Sequence, residues 1–146
     1  MLTNRIYLDY AATTPVDQRV LKEMTPYFSS QFGNAASHEH GFGWEAEDAV
    51  KKARKQIAHI INGFQDEIIF TSGATESNNL AIKGIAHQYQ HEGNHIITCM
   101  TEHKSVLDTV AFLRENGLEI TLLEVDSDGM INLQDLEDAI TSKTIL

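Results

Sequence analysis

The chain has 146 residues, a formal net charge of −10 at pH 7 and 42% apolar residues. This length suits one compact domain, and the apolar share is typical of globular proteins and not of disordered chains. Lys and Arg total 11 against 21 Asp and Glu, so no broad basic surface for nucleic acid is expected.

The cysteine count and the apolar runs exclude further classes. Cys99 is the only cysteine, so an intramolecular disulfide is impossible. No apolar run approaches the roughly 20 residues of a membrane helix, and the first residues lack the apolar segment of a signal peptide. We therefore expect a cytoplasmic protein that does not cross a membrane.

The first half of the chain is predicted to contain one extended piece and two helices. The extended piece covers about 6–8 and the first helix about 17–28. A loop over 29–43 then leads to the second helix, over about 44–62. Pro15 and Asp17 signal the start of the first helix. The second has apolar residues at helical spacing, and Gly63 is placed to end it in the left-handed conformation.

The second half alternates short apolar strands with amphipathic helices. The predicted strands cover 68–71, 95–98 and 120–125. A helix follows each strand. Gly93 ends the first of these helices, Gly117 ends the second, and Asn132 caps the start of the third. The residues predicted to face inward from these helices are Ala81, Ile82, Ile85, Ala86, Tyr89, Val106, Leu107, Val110, Leu113, Leu133, Leu136 and Ile140. This alternation predicts an α/β fold with a parallel sheet covered on both faces.

Residues 144–146 look like the first half of another strand, with no turn residue after them. A sheet built from these strands alone would expose edges that need pairing. We therefore expect the chain to be a fragment of a larger α/β unit.

Ligands of parallel sheets bind at the carboxyl ends of the strands, where the turn at 71–76 leads into a helix. Gly73 allows close backbone approach, and the N–H groups of Ala74 and Thr75 point outward from the helix start. This arrangement can hold a phosphate, although it lacks the spacing and lysine of a P-loop. Plain capping of the helix by Ser72 or Thr75 accounts for the same residues.

His103 follows the next strand and would face the same edge of the sheet. A histidine there can act as an acid, a base or a flat stacking partner, and the alternative is a surface or capping histidine. His87 and His91 share one helix face, but no third ligand is evident, so a solvated face is favoured over a metal site. Cys99 is predicted to be a buried, inert thiol.

Four ordered motifs, at 7–15, 32–34, 70–77 and 101–104, resemble the N-terminal part of a pyridoxal-phosphate-dependent cysteine desulfurase. That enzyme belongs to the class V aminotransferase family and serves iron–sulfur cluster assembly. The resemblance implies a fold-type-I architecture with a three-layer, mostly parallel sheet. Residues 1–15 would join the small domain, and 16–146 would form a truncated PLP-binding large domain.

The resemblance also implies roles for individual residues. The cofactor is pyridoxal 5′-phosphate, which withdraws electrons from the substrate L-cysteine while a protein thiolate takes the sulfur as a persulfide and leaves alanine. His103 would stack on the pyridine ring and assist proton transfers. The residues implied to hold the cofactor phosphate are Ala74 and Thr75, and those implied to line the substrate entrance are Ala12, Thr13 and Asn34.

Departures from the family pattern bear on activity. The resemblance places the Schiff-base lysine and the sulfur-accepting cysteine beyond the position that matches Leu146. Lys104 belongs to the ring-stacking motif and Cys99 to the end of a strand, so neither is expected to take those roles. Ala35 replaces the proline usual in the entrance loop. The chain alone is therefore expected to be inactive.

The partners implied by the family are a second subunit, since its homodimers share active-site residues, and the sulfur-acceptor or scaffold proteins of iron–sulfur assembly. A separate C-terminal half would complete the enzyme. Two other interpretations stay open at this point. One is a non-catalytic product that binds a partner or a phosphate compound, and the other is a fragment of a related enzyme such as selenocysteine lyase.

Overall fold

The structure, a computed structural model, describes residues 6–146, so residues 1–5 of the predicted N-terminal segment lie outside the described residues. The chain divides into two compact units, one that ends at Ile69 and one over Phe70–Leu146. The predicted domain boundary after residue 15 stays a prediction. The helices and strands are α1 (Gln18–Met24), α2 (Gly41–Ile61), α3 (Ala74–Gln88), β1 (His95–Cys99), α4 (Lys104–Glu115), β2 (Glu119–Leu123) and α5 (Leu133–Ala139), with 3-10 turns at Thr25–Phe28 and Gln65–Glu67.

The first predicted helix is confirmed, with a change of type in its last turn. The Asp17 carboxylate accepts the backbone N–H of Arg19 at 2.8 Å and caps α1. The chain then continues as the 3-10 turn Thr25–Phe28, which contains Pro26. Because proline has no N–H for an α-helical hydrogen bond, the tighter turn is the expected continuation.

The second helix begins at Gly41, so the loop predicted over 29–43 is wrong in its last residues. His40 Nδ1 accepts the N–H of Gly43 at 3.2 Å and starts the helix. Glycine is required at position 43, since a Cβ there would collide with the carbonyl oxygen of Ser37. The glycines that indicated a loop in the sequence instead allow a close approach of loop and helix.

The end of α2 also differs from the prediction. Asn62, with φ of 57°, takes the left-handed position that was predicted for Gly63. The N–H of Gly63 donates to the carbonyl of Ala58 at 2.9 Å and closes the last turn. Asparagine tolerates this conformation better than other side chains do, which lets the helix end one residue earlier.

The strand predicted at 68–71 is wrong as a strand, because no described strand pairs with it. Ile68 has extended backbone angles, and its carbonyl accepts a hydrogen bond from Arg54 Nε at 3.1 Å. The side chain of Ile69 is 65% exposed. An apolar extended segment becomes a strand only where a neighbouring backbone supplies the ladder.

The sheet of the second unit is parallel, as predicted. β1 pairs with β2 in the register His95↔Glu119, and α4 makes the crossover between them. On the other side of β1, Ile145 N–H donates to the His95 carbonyl at 2.9 Å, and Ile97 N–H donates to the Leu146 carbonyl at 2.9 Å. The segment 144–146 thus pairs with β1 as predicted, through an isolated parallel bridge between His95 and Thr144, and β1 has a neighbour on both sides.

The core of the second unit lies between this sheet and the helices α3 and α4. Ile96 is 1% exposed, and it clusters with Ala86 of α3 and with Val110 and Leu113 of α4. Ala81 is exposed, and so is Tyr89, which lies beyond the end of α3. The inward prediction is thus right for the middle of α3 and wrong at these two positions.

The last helix buries less than was predicted. Asn132 caps α5 through its side-chain oxygen, which accepts the N–H of Gln134 at 3.0 Å, as expected. Leu133 and Ile140 are nevertheless exposed, and Leu136 is half-buried. Spacing marks which side of a helix is apolar, but burial also needs an element that covers it. No helix of residues 6–146 is long and apolar enough to cross a membrane.

Candidate functional site

The turn that leads into α3 is held by a carboxylate on the helix itself. Glu76 Oε2 accepts both the N–H and the hydroxyl of Ser72, each at 2.6 Å. The Ser72 hydroxyl and N–H lower the pKa of the Glu76 carboxyl below its ordinary value, because they bond to its ionised form. The hydroxyls of Thr71 and Ser77 lie 2.6 Å apart and close the turn from the other side.

These contacts leave the start of α3 without a side-chain cap. The cap residue is Gly73, and no side chain accepts a hydrogen bond there, so the predicted capping by Ser72 or Thr75 is wrong. The first N–H groups of a helix have no intrahelical acceptor, and here they include those of Ala74 and Thr75. A Cβ on Gly73 would meet nothing within 4 Å, so the space beside Gly73 is open. A helix N-terminus with free N–H groups of this kind can bind an anion.

His103 lies after β1 and caps α4. Its Nδ1 accepts the backbone N–H of Ser105 at 3.0 Å, so the capping interpretation of this histidine is confirmed. The ring is exposed, and no residue in 6–146 hydrogen-bonds its Nε2 atom. Capping occupies one nitrogen and leaves the other nitrogen and the ring face available to a ligand.

A hydrogen bond between two helices places these groups beside each other. Asn78 Nδ2 donates to Ser105 Oγ at 2.8 Å, which joins the second turn of α3 to the first turn of α4. Asn78 lies about one turn after Ala74 and Thr75, and Ser105 is two residues after His103. The start of α3 and the imidazole of His103 thus lie at the same end of the two neighbouring helices α3 and α4.

Asn78 and Ser105 were missed as site residues. Ser105 is 8% exposed, although it is a polar residue in a first helical turn, where a solvent-facing side chain is the usual expectation. Neither residue lies in a pattern that marks chemistry. The available signal was a polar side chain on the face of α4 that also carries Thr109 and Leu113, both of which are buried.

The residues predicted to line the substrate entrance lie in the first unit and are exposed. The N–H of Ala12 donates to the Asp9 carbonyl at 3.1 Å in a turn that precedes Thr13. Asn34 Oδ1 accepts the N–H of Ala36 at 3.0 Å and forms a turn around Ala35. Alanine in place of the usual proline is therefore compatible with a closed turn at this loop.

The other chemistry-bearing candidates form ordinary surface contacts. Cys99 is half-buried, more open than predicted, and its Sγ lies 3.0 Å from Thr101 Oγ1. Lys104 reaches Asp108 at 3.9 Å across one helical turn. His91 contacts Glu92 at 3.6 Å. Within residues 6–146, no group of three or more His, Cys, Asp or Glu side chains is placed to hold a metal ion.

A groove of about 380 Å³ runs between α4 and β2, and neither His103 nor any residue of α3 lines it. Its walls are mostly apolar, and its lining residues are Met100, Leu107, Asp108, Val110, Ala111, Arg114, Ile120 and Leu122. The lining of this groove includes no histidine and no N–H group from the start of α3. We therefore place the candidate site at the starts of α3 and α4.

Comparison with known proteins decides the family. The family described as aminotransferase class-V matches residues 6–146. The chain belongs to the class-V aminotransferases. The resemblance seen in the sequence is thereby confirmed.

Three named proteins show which class-V aminotransferases this chain is similar to. It is 58% identical over 141 residues to the cysteine desulfurase IscS of Neisseria meningitidis serogroup C / serotype 2a, which covers 97% of this chain and 35% of that protein. It matches the structure of a NifS-like protein with a TM-score of 0.89 and 40% identity over 96% of this chain and 38% of the other. It also matches a structure of SspA in complex with cysteine, with a TM-score of 0.84 and 44% identity over 94% of this chain and 40% of the other.

These structures confirm the predicted α/β fold of fold-type I with a parallel sheet. The chain spans about a third of the length of the curated relatives it matches. The family and the fold are therefore established for this class-V aminotransferase chain, while the activity of a whole enzyme is a matter for proposal.

Proposed function

We propose that this chain supplies the N-terminal part of a cysteine desulfurase that converts L-cysteine to L-alanine and passes the sulfur on as a protein persulfide for iron–sulfur cluster assembly. The observation that carries the proposal is the uncapped start of α3 beside His103, in a chain 58% identical to IscS over 141 residues. An anion site next to an exposed imidazole is suited to a phosphate-bearing aromatic cofactor.

Pyridoxal 5′-phosphate fits the groups present at this end of the two helices. The N–H groups of Ala74 and Thr75 would hold its phosphate, supported by the positive end of a 15-residue helix. The open space over Gly73 leaves room for the phosphate oxygens. When bound, this cofactor supplies an electron sink for cleavage of the bond between carbon and sulfur.

The imidazole of His103 would lie against the cofactor ring. Its attachment to the first turn of α4 through Nδ1 fixes the ring relative to the helix, and Nε2 remains available to hold a proton near the substrate. Ala12, Thr13 and Asn34 would line the entrance for L-cysteine. Their exposure supports that role, since an entrance must be open to solvent.

The partners follow from the same proposal. The Schiff-base lysine and the persulfide cysteine would come from a polypeptide that supplies the part of the enzyme beyond the match to Leu146. A homodimer and a sulfur-acceptor or scaffold protein of iron–sulfur assembly would act with it, in the cytoplasm. Support for these partners rests on the relatives named above.

The test combines this chain with the remaining part of the N. meningitidis IscS, and uses that IscS divided at the same point as the positive control. Alanine release from L-cysteine is measured with added pyridoxal phosphate. We expect no alanine from the chain alone and alanine from the pair. If the divided IscS is active while the mixed pair is not, the proposal fails. Turnover by the chain alone would contradict the proposed source of the lysine and cysteine.

The phosphate site has its own variant. Ala74→Pro removes one N–H at the first position of α3, where proline is tolerated because that N–H has no helical acceptor. We expect this variant to bind pyridoxal phosphate more weakly while the helix is retained. Binding is measured from the absorbance of the cofactor. Leu133→Pro makes the same change at the first position of α5 and should leave binding unchanged. Equal binding by wild type and Ala74→Pro would exclude this helix start as the phosphate site.

A further inference from the structure

The protonation of His103 is set by the direction of its hydrogen bonds. A backbone N–H always donates, and that of Ser105 points at Nδ1 at 3.0 Å. The Nδ1 atom is therefore an acceptor and carries no hydrogen in the neutral ring. A neutral imidazole has one N–H, so the hydrogen must lie on Nε2.

A second bond to the same nitrogen adds to this preference. Ser105 Oγ lies 2.9 Å from His103 Nδ1. The same oxygen accepts a hydrogen bond from Asn78 Nδ2 at 2.8 Å, since an amide nitrogen is a donor only. Because Nδ1 carries no hydrogen, the Ser105 hydroxyl is the donor in its contact with Nδ1, while its oxygen accepts from Asn78.

The three side chains therefore form a relay with one direction, from Asn78 through Ser105 to His103. We propose that Asn78 and Ser105 are positioning residues that hold His103 as the Nε2–H tautomer, so that the neutral ring presents a proton donor, and no acceptor, to whatever binds at this end of the two helices. The part of this inference that concerns the cofactor and substrate rests on the proposed function. The tautomer itself does not.

The burial of the relay supports this role. Ser105 is 8% exposed and Asn78 is half-buried, so water competes poorly for their hydrogen bonds. His103 itself is exposed. Capping of α4 by His103 needs only the backbone N–H of Ser105. The additional, shielded side chains of Asn78 and Ser105 instead control which ring nitrogen of His103 faces a ligand.

The consequence for chemistry is specific. At Nε2 the neutral ring can donate a hydrogen bond to a substrate atom but cannot accept a proton there, because its free lone pair lies on Nδ1. Nδ1 is engaged by Ser105 and takes no part in exchange with a ligand.

The experiment measures imidazole ¹⁵N shifts of the full chain without cofactor, at pH about 8.5, where free imidazole is neutral. Ring nitrogens with and without hydrogen have well separated shifts, so the ratio of the two tautomers is read directly. His87, an exposed histidine in the same spectrum, is the internal reference. We expect a ratio of Nε2–H to Nδ1–H in His103 that is well above the ratio in His87.

Variants test the relay and its direction. Ser105→Ala removes one hydrogen bond to Nδ1 and should lower the ratio about fivefold, the weight of an ordinary hydrogen bond. Ser105→Thr keeps a hydroxyl and should keep the tautomer ratio of His103 near that of wild type. Asn78→Asp turns the neighbour of Ser105 into an acceptor that competes for the hydroxyl hydrogen, and should also lower the ratio. Asn79→Asp adds the same charge on a neighbouring residue whose amide bonds to the Thr75 carbonyl instead, and should leave the ratio unchanged.

The outcomes separate the two proposals. A wild-type ratio in His103 no higher than in His87 would overturn the relay, and so would equal ratios in wild type, Ser105→Ala and Asn78→Asp. If a variant fails to fold, the wild-type ratio still decides. An inactive mixed pair together with a raised ratio would count against the proposed function alone. An active pair with an unshifted tautomer would count against the relay alone.

Discussion

His95 offers the sharpest test of how the sheet is held together. Its side chain is 5% exposed at the start of the central strand β1. Nδ1 lies 2.8 Å from Thr144 Oγ1 and Nε2 lies 2.8 Å from Thr121 Oγ1, so one imidazole joins the strands on both sides. We predict that His95→Phe, which keeps an aromatic ring and removes both bonds, destabilises the fold.

The magnitude follows from the partners left behind. Two neutral hydrogen bonds contribute about 1 kcal/mol each. Thr144 Oγ1 keeps the N–H of Thr141 at 2.9 Å, whereas the Thr121 hydroxyl has no other hydrogen-bonding partner among the described residues. The unsatisfied Thr121 hydroxyl raises the cost, and we expect the free energy of unfolding to fall by about 2–3 kcal/mol.

The assay is urea unfolding of the full chain, followed by circular dichroism, with the free energy taken from the midpoint and slope. His91→Phe, at an exposed histidine, is the matched control and should change stability by less than about 0.5 kcal/mol. The double variant His95→Phe/Thr121→Val removes the orphaned hydroxyl and should lose less than the sum of the single variants. Equal losses for His95→Phe and His91→Phe would refute the reasoning.

Three further predictions concern local structure. Gly43→Ala should lower the free energy of unfolding by about 1–3 kcal/mol because the new Cβ meets a backbone carbonyl, whereas Gly41→Ala in the same helix meets nothing within 4 Å and should not destabilise it; similar urea midpoints would contradict this. The pKa of Glu76 is lowered by bonds from Ser72, so these bonds stabilise the folded turn above the ordinary pKa of 4.5 and are lost as pH falls through the lowered value. An NMR titration should find the carboxyl midpoint below 4.5, and a midpoint at or above it would contradict the contact. Asn132→Ala should lower the free energy of unfolding, measured by urea unfolding, by about 1 kcal/mol by removing the cap of α5, while Asn132→Ser, which keeps a capping oxygen, should retain most of it.

Periodicity in the sequence predicted most of the helices and the paired strands, because burial on one face of an element leaves a regular apolar repeat. It placed β1, β2 and the half-strand at 144–146, whose residues pair in the structure. It was wrong at 68–71, since an apolar run does not reveal whether a neighbouring strand pairs with it. It was also wrong at Gly63, where the choice between two adjacent turn residues depends on where the helix ends.

The candidate site was predicted in part. The motifs pointed to Ala74, Thr75 and His103, and the hydrogen bond between α3 and α4 places these residues at the same end of the two helices. The sequence offered capping by Ser72 as an alternative, and only the structure shows that Ser72 instead donates to Glu76. Competition between two acceptors for one hydroxyl depends on distances that spacing along the chain does not contain.

The sequence by itself determined the family, the order of helices and strands, and the residues suited to hold a phosphate and an aromatic ring, because these depend on local pattern. The tertiary structure decided which polar groups satisfy one another. Asn78 and Ser105 are 27 residues apart, and His95 bonds to partners 26 and 49 residues away. Buried polar groups must find partners wherever the fold brings them together, so the controls on His103 and on the central strand emerge only in three dimensions.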